Sequence, residues 1–167
     1  MTRFAYTAGD MRKRRLRGVL LAACLGALAP GGAAAAETWI PVGPPGGDVR
    51  SLAADPRDPN RVYLGTADGV VYRSDDGGHR WERLSPGFPR RGVSLDEVLV
   101  DPLGQVLVAY WEVAGKGGGV ARSTDAGVHF TLLPGIQGES VRALAAAPGR
   151  PQVLVAGALS GVFRSTD

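Results

Sequence analysis

Cysteine and histidine are scarce in this chain of 167 residues. It contains one cysteine, Cys24, and two histidines, His79 and His129. A single cysteine forms no internal disulfide bond, and the two histidines lie in separate polar turn sequences rather than at the spacing of a shared metal ion. The sequence therefore predicts a domain that is held together by its hydrophobic core, with no metal and no cofactor.

Most of the chain has no excess of basic over acidic residues, although the net charge of the whole chain is +3. Residues 1–36 hold six of the 19 Lys and Arg residues and one of the 16 Asp and Glu residues, which leaves 13 basic and 15 acidic residues in 37–167. Nucleic-acid binding needs a basic stripe on the folded part. The charge distribution therefore excludes nucleic acid as an expected partner.

The apolar stretch from Gly18 to Ala29 has 12 residues, which is too short to cross a membrane comfortably. It follows a basic cluster, Arg12 to Arg17, and precedes small residues that end at Ala36. This order is typical of a secretory signal peptide. We expect residues 1–36 to be removed between Ala36 and Glu37, which leaves a secreted or periplasmic bacterial protein with no membrane span.

Other interpretations of this leader stay open. The leader could remain uncleaved as a membrane anchor. The sequence Leu21-Ala22-Ala23-Cys24 resembles a bacterial lipobox, which would attach lipid to Cys24. Independently of these two interpretations, residues 1–10 precede Met11 and the basic cluster and could be an over-extended start of the chain.

A repeat of 46 residues fills the remainder of the chain. Three units each contain a Val- and Ala-rich run that ends in proline, a second Val- and Leu-rich run, and a third run that ends in Arg-Ser. The prolines of the three units, Pro56, Pro102 and Pro148, are 46 residues apart. A fixed period of this length is typical of repeat architectures.

The apolar runs of each unit are short, rich in β-branched residues and separated by Pro, Gly and Asp, a pattern that predicts strands. About four strands in 40–50 residues is typical of a β-propeller blade. The sequence therefore predicts an all-β fold, a partial β-propeller of about three four-stranded antiparallel blades. We place the blades at about 48–84, 92–133 and 140–167.

A turn sequence follows the third strand of each unit. It runs from Ser74 to Trp81 and from Ser123 to Phe130 with the pattern S-x-D-x-G-x-x-aromatic, and a third copy begins at Ser165. The pattern resembles the Asp-box, or BNR repeat, of sialidases, sortilin-like receptors, xyloglucanases and photosystem II assembly factor-like proteins. In those families the box lies at the blade periphery, away from the catalytic face.

The chemistry of the box is that of a turn, since an Asp can accept backbone N–H groups and a Gly can take positive φ. The aromatic side chain then covers the hairpin. We expect a structural role for the residues of all three copies: Ser74, Asp76, Gly78, Trp81, Ser123, Asp125, Gly127, Phe130, Ser165 and Asp167.

The segment from Trp39 to Val42 is similar to the outer strands that follow the boxes at Trp81 and Phe130. We interpret residues 38–42 as the closing outer strand of a final blade. Residues 37–167 hold about 2.8 blades, whereas closed propellers have roughly 4–8. Either further blades follow in the same polypeptide, which makes this chain an N-terminal fragment, or several copies assemble one ring as a homo-oligomer.

Two classes of function are consistent with the repeat. The first is a binding or assembly scaffold for a protein or carbohydrate partner. The assembly-factor relatives contact partners through an arginine-rich face, and Arg50 and Arg142 occupy matching positions here, with Ser94 or Leu95 in the second unit.

The alternative is the front part of a BNR-repeat glycoside hydrolase, sialidase- or xyloglucanase-like, whose catalytic residues are largely missing. Such an enzyme needs paired carboxylates or an arginine cluster with a tyrosine. The carboxylates outside the boxes and Asp-Pro turns that could face a cleft are Asp68, Asp96, Glu97 and Glu112. Because their spacing does not distinguish catalytic groups from solvated ones, we assign no catalytic residue.

Overall fold

The computed structural model describes residues 38–84, 91–147 and 149–165, and these form eleven strands without a helix. The expected signal peptide with Cys24, Ala36 and Glu37, and Asp167 of the third box, lie outside the described residues. The strands are β1 Val49–Asp55, β2 Asp58–Thr66, β3 Val71–Ser74, β4 Glu82–Leu84, β5 Val93–Val100, β6 Val106–Glu112, β7 Gly118–Ser123, β8 Thr131–Leu132, β9 Val141–Ala147, β10 Arg150–Ala158 and β11 Gly161–Ser165.

The strands form three antiparallel sheets, in which strands that follow one another in sequence are neighbours. The sheets have the orders β1-β2-β3-β4, β5-β6-β7-β8 and β9-β10-β11, and we call them blades 1, 2 and 3. The first strands of successive blades contact one another, β1 with β5 and β5 with β9. This arrangement confirms the predicted all-β fold, a partial β-propeller whose blades have their first strands innermost.

Two apolar cores lie between consecutive blades. We call the side of a blade that packs on the next blade its following face, and the opposite side its preceding face. In the first core the following face of blade 1 meets the preceding face of blade 2, through Tyr63, Val71, Leu84, Val98, Val106, Val108, Ala121 and Phe130. In the second core blade 2 meets blade 3, through Leu107, Val120, Leu133, Leu144, Leu154, Ala156 and Phe163. Because burial of apolar surface drives folding, each blade depends on its neighbour.

The segment before blade 1 contains the residues that the sequence suggested as a closing strand. Residues 38–42 form no strand with any strand that the structure describes, and the side chain of Trp39 is 90% exposed. A closing role for this segment stays a prediction.

Candidate functional site

A β-bulge interrupts the first strand of every blade close to its start. In blade 1 the register steps from Val49–Thr66 to Ser51–Gly65, which leaves Arg50 as the extra residue. The same step leaves Asp96 extra in blade 2 and Arg142 extra in blade 3. Bulges aim side chains out of the regular ladder and occur next to functional sites. The three charged residues therefore occupy one repeat position at the same end of the innermost strands.

The bulges correct the expectation that Ser94 or Leu95 is the counterpart of Arg50 and Arg142. Ser94 and Leu95 lie in the regular part of β5, opposite Trp111 and Tyr110. Asp96 is the counterpart, and it lies 46 residues from both arginines. The 46-residue period alone places Asp96 at the position of the two arginines. An alignment that matches only the apolar residues does not detect this correspondence. The three bulge positions therefore carry Arg, Asp and Arg, which differs from the arginine-rich face with a gap in blade 2 that the sequence suggested.

Asp96 and Arg142 join blades 2 and 3 at this end. Arg142 Nη1 lies 3.2 Å from Asp96 Oδ2, and its guanidinium carbon lies 3.6 Å from the ring centre of Trp111, within the range of a cation–π contact. Ser94 Oγ donates a hydrogen bond of 2.6 Å to Asp96 Oδ1. These contacts fix the direction of the Arg142 side chain while leaving part of it in solvent.

The environment of Asp96 favours its charged form. Partial burial opposes ionisation, but the Ser94 hydroxyl and the Arg142 guanidinium outweigh it and hold the pKa of Asp96 below its usual value. The indole N–H of Trp111 also favours the carboxylate, although it forms no hydrogen bond of normal geometry. Asp96 is therefore a fixed anion beside a fixed cation.

Blade 1 contributes Arg50, which is paired within its own blade. Arg50 Nη2 lies 3.0 Å from Asp48 Oδ2, and both side chains are at least half exposed. Next to it, Ser51 Oγ donates to the Leu95 carbonyl of blade 2 at 3.3 Å. Exposed ion pairs of this kind are weak and exchange readily, so Arg50 can turn towards a bound partner.

The four candidate carboxylates all lie at this end of the blades. Asp68, in the β2–β3 turn, accepts a hydrogen bond from Thr66 Oγ1. Glu112 ends β6 beside the turn glycines Gly115 and Gly117. Glu97 follows the bulge, and burial raises its pKa. Asp96 and Glu97 are thus adjacent carboxylates whose pKa values are shifted in opposite directions.

The two complete turn sequences that resemble the Asp-box have matching geometry. Ser74 Oγ donates to Asp76 and accepts the Gly78 N–H, both at 2.8 Å, and Asp76 accepts the Arg80 N–H at 2.8 Å. Ser123, Asp125, Gly127 and His129 repeat these three bonds at the same distance. The hydrogen bond that the His129 backbone N–H donates makes the largest contribution to holding the pKa of Asp125 far below its usual value. The Ser and Asp side chains therefore replace strand partners for the backbone of the turn.

The aromatic residues of the two turns differ in burial. Phe130 is buried in the first core, where Gly127 of the same turn packs against Leu84 of blade 1. Trp81 is half-buried, on the preceding face of blade 1. Ser165 ends β11, where the third copy begins. The difference follows from position, because Phe130 has a preceding blade against it and Trp81 has none among the described residues.

The described part of the chain contains neither a cluster of metal ligands nor a membrane-spanning helix. Nowhere in 38–84, 91–147 and 149–165 do three His, Cys, Asp or Glu side chains converge as a metal site would require. The same ranges contain no helix with the length and apolar character of a membrane span. The candidate site is the set of three bulge residues Arg50, Asp96 and Arg142, which we call the charged bulge ring.

The stacked blades define a partial β-propeller, and solved structures of the same fold agree. The chain is similar to the GH74 xyloglucanase of Xanthomonas campestris, with a TM-score of 0.60, 21% identity and coverage of 72% of this chain and 20% of that one. YCF48 from Cyanidioschyzon merolae gives a TM-score of 0.53, 20% identity and coverage of 74% and 36%. An ancestral GH74 enzyme gives a TM-score of 0.56 and 23% identity, and the match covers 80% of this chain and 19% of that enzyme. At these identities the likeness establishes the fold, and it confirms the predicted resemblance at that level.

Among curated proteins, the xyloglucanase Xgh74A of Acetivibrio thermocellus is 33% identical over 123 residues. The match covers 58% of this chain and 14% of that enzyme. No protein-family model matches the chain. The chain thus corresponds to a small part of a xyloglucanase and to a larger part of YCF48.

Proposed function

We propose that the chain is an exported Asp-box β-propeller that acts as a binding or assembly scaffold for a protein or carbohydrate partner. The observation that carries this proposal is the set of three bulged charged residues at one repeat position. A residue outside the strand ladder contributes nothing to sheet register, so a charged side chain there is available for contacts with a partner.

The exposure of the ring residues supports binding at this end. The side chains of Arg50 and Arg142 are 50% and 45% exposed, and each is oriented by a carboxylate. Arginine in such a position binds carboxylates or hydroxyls through several N–H groups at once. Loops and strand ends on a rigid repeat scaffold are common binding surfaces.

The remaining features have structural or transport roles in this proposal. The Ser, Asp, Gly and aromatic residues of the turns are Asp-box residues that hold the blade periphery. The leader directs export with cleavage after Ala36, and the folded part is secreted or periplasmic. The proposal includes no cofactor.

Binding can be tested with two classes of probe and one matched control. Synthetic acidic, basic and neutral peptides, and soluble xyloglucan in an affinity gel, are applied to the chain and to the double variant Arg50→Ser/Arg142→Ser. We expect the variant to lose at least about tenfold in affinity for the probe that binds, whereas Arg83→Ser, on the exposed outer strand β4, binds normally. Equal effects of the two variants, or no binding by any probe, would contradict the proposal.

The alternative function is that of a glycoside hydrolase part. Two observations favour it, the similarity to xyloglucanase Xgh74A and the opposite pKa shifts of Asp96 and Glu97. Carboxylates with divergent pKa values suit an acid and an anionic partner in glycoside hydrolysis. In this alternative Glu97 would donate the proton and Asp96 would stay charged.

Release of reducing sugar from xyloglucan above the background of heat-denatured protein would establish the alternative and contradict a scaffold without activity. Loss of that turnover in Glu97→Gln, with unchanged xyloglucan binding, would identify Glu97 as the proton donor.

A further inference from the structure

Glu97 lies between blades 2 and 3, beside the charged bulge ring. It pairs with Ala109 across the sheet, and Ala109 and Leu99 both line the second core. Because side chains alternate along a strand, Glu97 faces blade 3 as Leu99 does. Glu97 is partly buried, and within 38–84, 91–147 and 149–165 it has no hydrogen-bond or ionic partner. A carboxylate in such a place is unfavourable in its charged form.

Blade 1 shows what a hydrogen-bond donor does at this repeat position. Ser51 lies 46 residues before Glu97, and it pairs with Gly65 as Glu97 pairs with Ala109. The Ser51 hydroxyl donates to the Leu95 carbonyl of blade 2 at 3.3 Å. The two blades approach closely here, since a Cβ on Gly65 would lie 3.0 Å from the same carbonyl oxygen. The hydroxyl therefore joins blade 1 to the first strand of blade 2.

The counterpart of Leu95 in blade 3 is Val141, 46 residues further along the chain. Both residues are fully buried, and each is the last paired residue before the bulge of its strand. The repeat therefore places Glu97 against the Val141 carbonyl, which directly precedes Arg142. A carbonyl oxygen has two lone pairs, so this one can accept a bond from Glu97 in addition to a ladder bond.

The proton on Glu97 decides whether it can make the contact that Ser51 makes. An ionised carboxylate only accepts hydrogen bonds, whereas a protonated carboxyl group has one O–H donor. Protonated Glu97 can therefore donate to the Val141 carbonyl, and ionised Glu97 would place a negative oxygen against it. Burial raises the pKa of Glu97, which agrees with a position that favours the protonated form.

The charged groups at this end of the blades do not compensate Glu97. Arg142, from β9, is held by Asp96 and by the ring of Trp111. Burial is the sole cause of the raised pKa of Glu97. The other charged residues on the elements around β5 lie in β1 and the residue before it, in β6 and its turn, and before β9: Asp48, Arg50, Glu112, Lys116 and Glu139.

We propose that Glu97 forms a proton-dependent contact between blades 2 and 3, donating to the Val141 carbonyl when protonated and releasing it when ionised. Because Val141 precedes Arg142, the contact holds the backbone of a ring residue. Ionisation loosens that backbone and presents a second carboxylate, beside Asp96, to the Arg142 guanidinium. The contact is a property of the fold, and its effect on partner affinity rests in addition on the proposed function.

Carbon-13 NMR of the labelled whole chain tests the contact directly. We expect the Glu97 carboxyl carbon to titrate above the ordinary pKa of a glutamate, and the Val141 carbonyl carbon to shift with the same midpoint. In Glu97→Gln, which keeps a donor at every pH, the Val141 signal should stay constant over that range. Asp96 titrates at lower pH in both proteins, so its effect is separable.

Urea unfolding and binding provide two further readouts. Because the pKa of Glu97 is raised in the folded chain, its contribution to stability is complete below about pH 4 and is lost as the pH rises through the folded value. The urea midpoint of Glu97→Gln should therefore exceed that of wild type at about pH 8 by more than it does at about pH 4. Glu139→Gln, at the same end, should differ from wild type equally at both. Affinity for a probe of the charged bulge ring should weaken by at least about fivefold more in wild type than in Glu97→Gln over this range.

Several results would overturn the proposal. A Glu97 titration at the ordinary value, or a Val141 carbonyl signal that does not follow it, would refute the contact. A stability difference between Glu97→Gln and wild type that is the same at both pH values would refute its role between the blades. Affinities that change equally with pH in the two proteins would refute control of the ring. If no probe binds at any pH, the proposed function fails, whereas a shared midpoint of Glu97 and Val141 still supports the contact.

Discussion

Replacement of Ser123 by alanine should have a cost that can be calculated from its contacts. The Ser123 hydroxyl accepts the Gly127 N–H at 2.8 Å and donates to Asp125 at 2.8 Å, and Ser123 is 1% exposed. Without it, Asp125 can bond to water, because it lies at the surface. The buried Gly127 N–H cannot, and an unsatisfied buried donor costs about 1–3 kcal/mol.

Urea unfolding of Ser123→Ala should therefore show a loss of about 1–3 kcal/mol in the free energy of unfolding. Thr124→Ala, an exposed neighbour in the same turn, is the matched control and should change stability by less than about 0.5 kcal/mol. Amide exchange at Gly127 should also accelerate in the variant. A loss equal to that of the control would refute the assignment of the turn's stability to this hydroxyl.

Three further predictions concern the site and its turns. The pKa of Asp96 is lowered in the folded chain, so its contribution to stability is complete at neutral pH and is lost as the pH falls below about 4. The difference in free energy of unfolding between wild type and Asp96→Asn should therefore shrink as the pH falls through that range. A difference that stays constant would count against the ion pair. Ala126 has φ +57° where blade 1 has Gly77 at φ +70°, so Ala126→Gly should raise the melting temperature and Gly77→Ala lower it, each by the equivalent of about 1 kcal/mol. Gly127→Ala should cost more than about 2 kcal/mol, because Gly127 has φ +85° and the new Cβ would also lie 2.7 Å from Cδ1 of the buried Leu84. A cost no larger than that of Gly77→Ala would show that Leu84 moves aside at this contact.

Much of the fold was predictable because the repeat is local in sequence. The Val- and Leu-rich runs and the 46-residue spacing predicted strands such as β6 and β10 and their grouping into blades. The bulge at Asp96 was not predictable from apolar pattern, since a bulge changes register without changing composition. The half-burial of Trp81 was missed for a related reason: the turn predicts an aromatic cover, but only a neighbouring blade determines how much of the ring is covered.

The candidate site depends on contacts that the sequence does not encode locally. Arg142 lies 46 residues from Asp96 and 31 residues from Trp111, and only the stacking of blades 2 and 3 brings the three together. The carboxylates Asp68, Asp96, Glu97 and Glu112 were identified as a set, but the opposite pKa shifts of two of them arise from burial and from an arginine on another blade.

The bulges divide each inner strand into residues that are paired in the sheet and one residue that has no cross-strand partner. Because Arg50, Asp96 and Arg142 have no cross-strand partner, exchange of one charge for another at these positions leaves the ladder pairs on either side intact. Each blade therefore carries one charged side chain that can be exchanged without a shift of strand register, although at Asp96 and Arg142 the exchange also breaks the ion pair that joins blades 2 and 3. A lineage built on this repeat can therefore alter the charge at Arg50 by a single substitution, whereas a change at Asp96 or Arg142 calls for a matching change at the other.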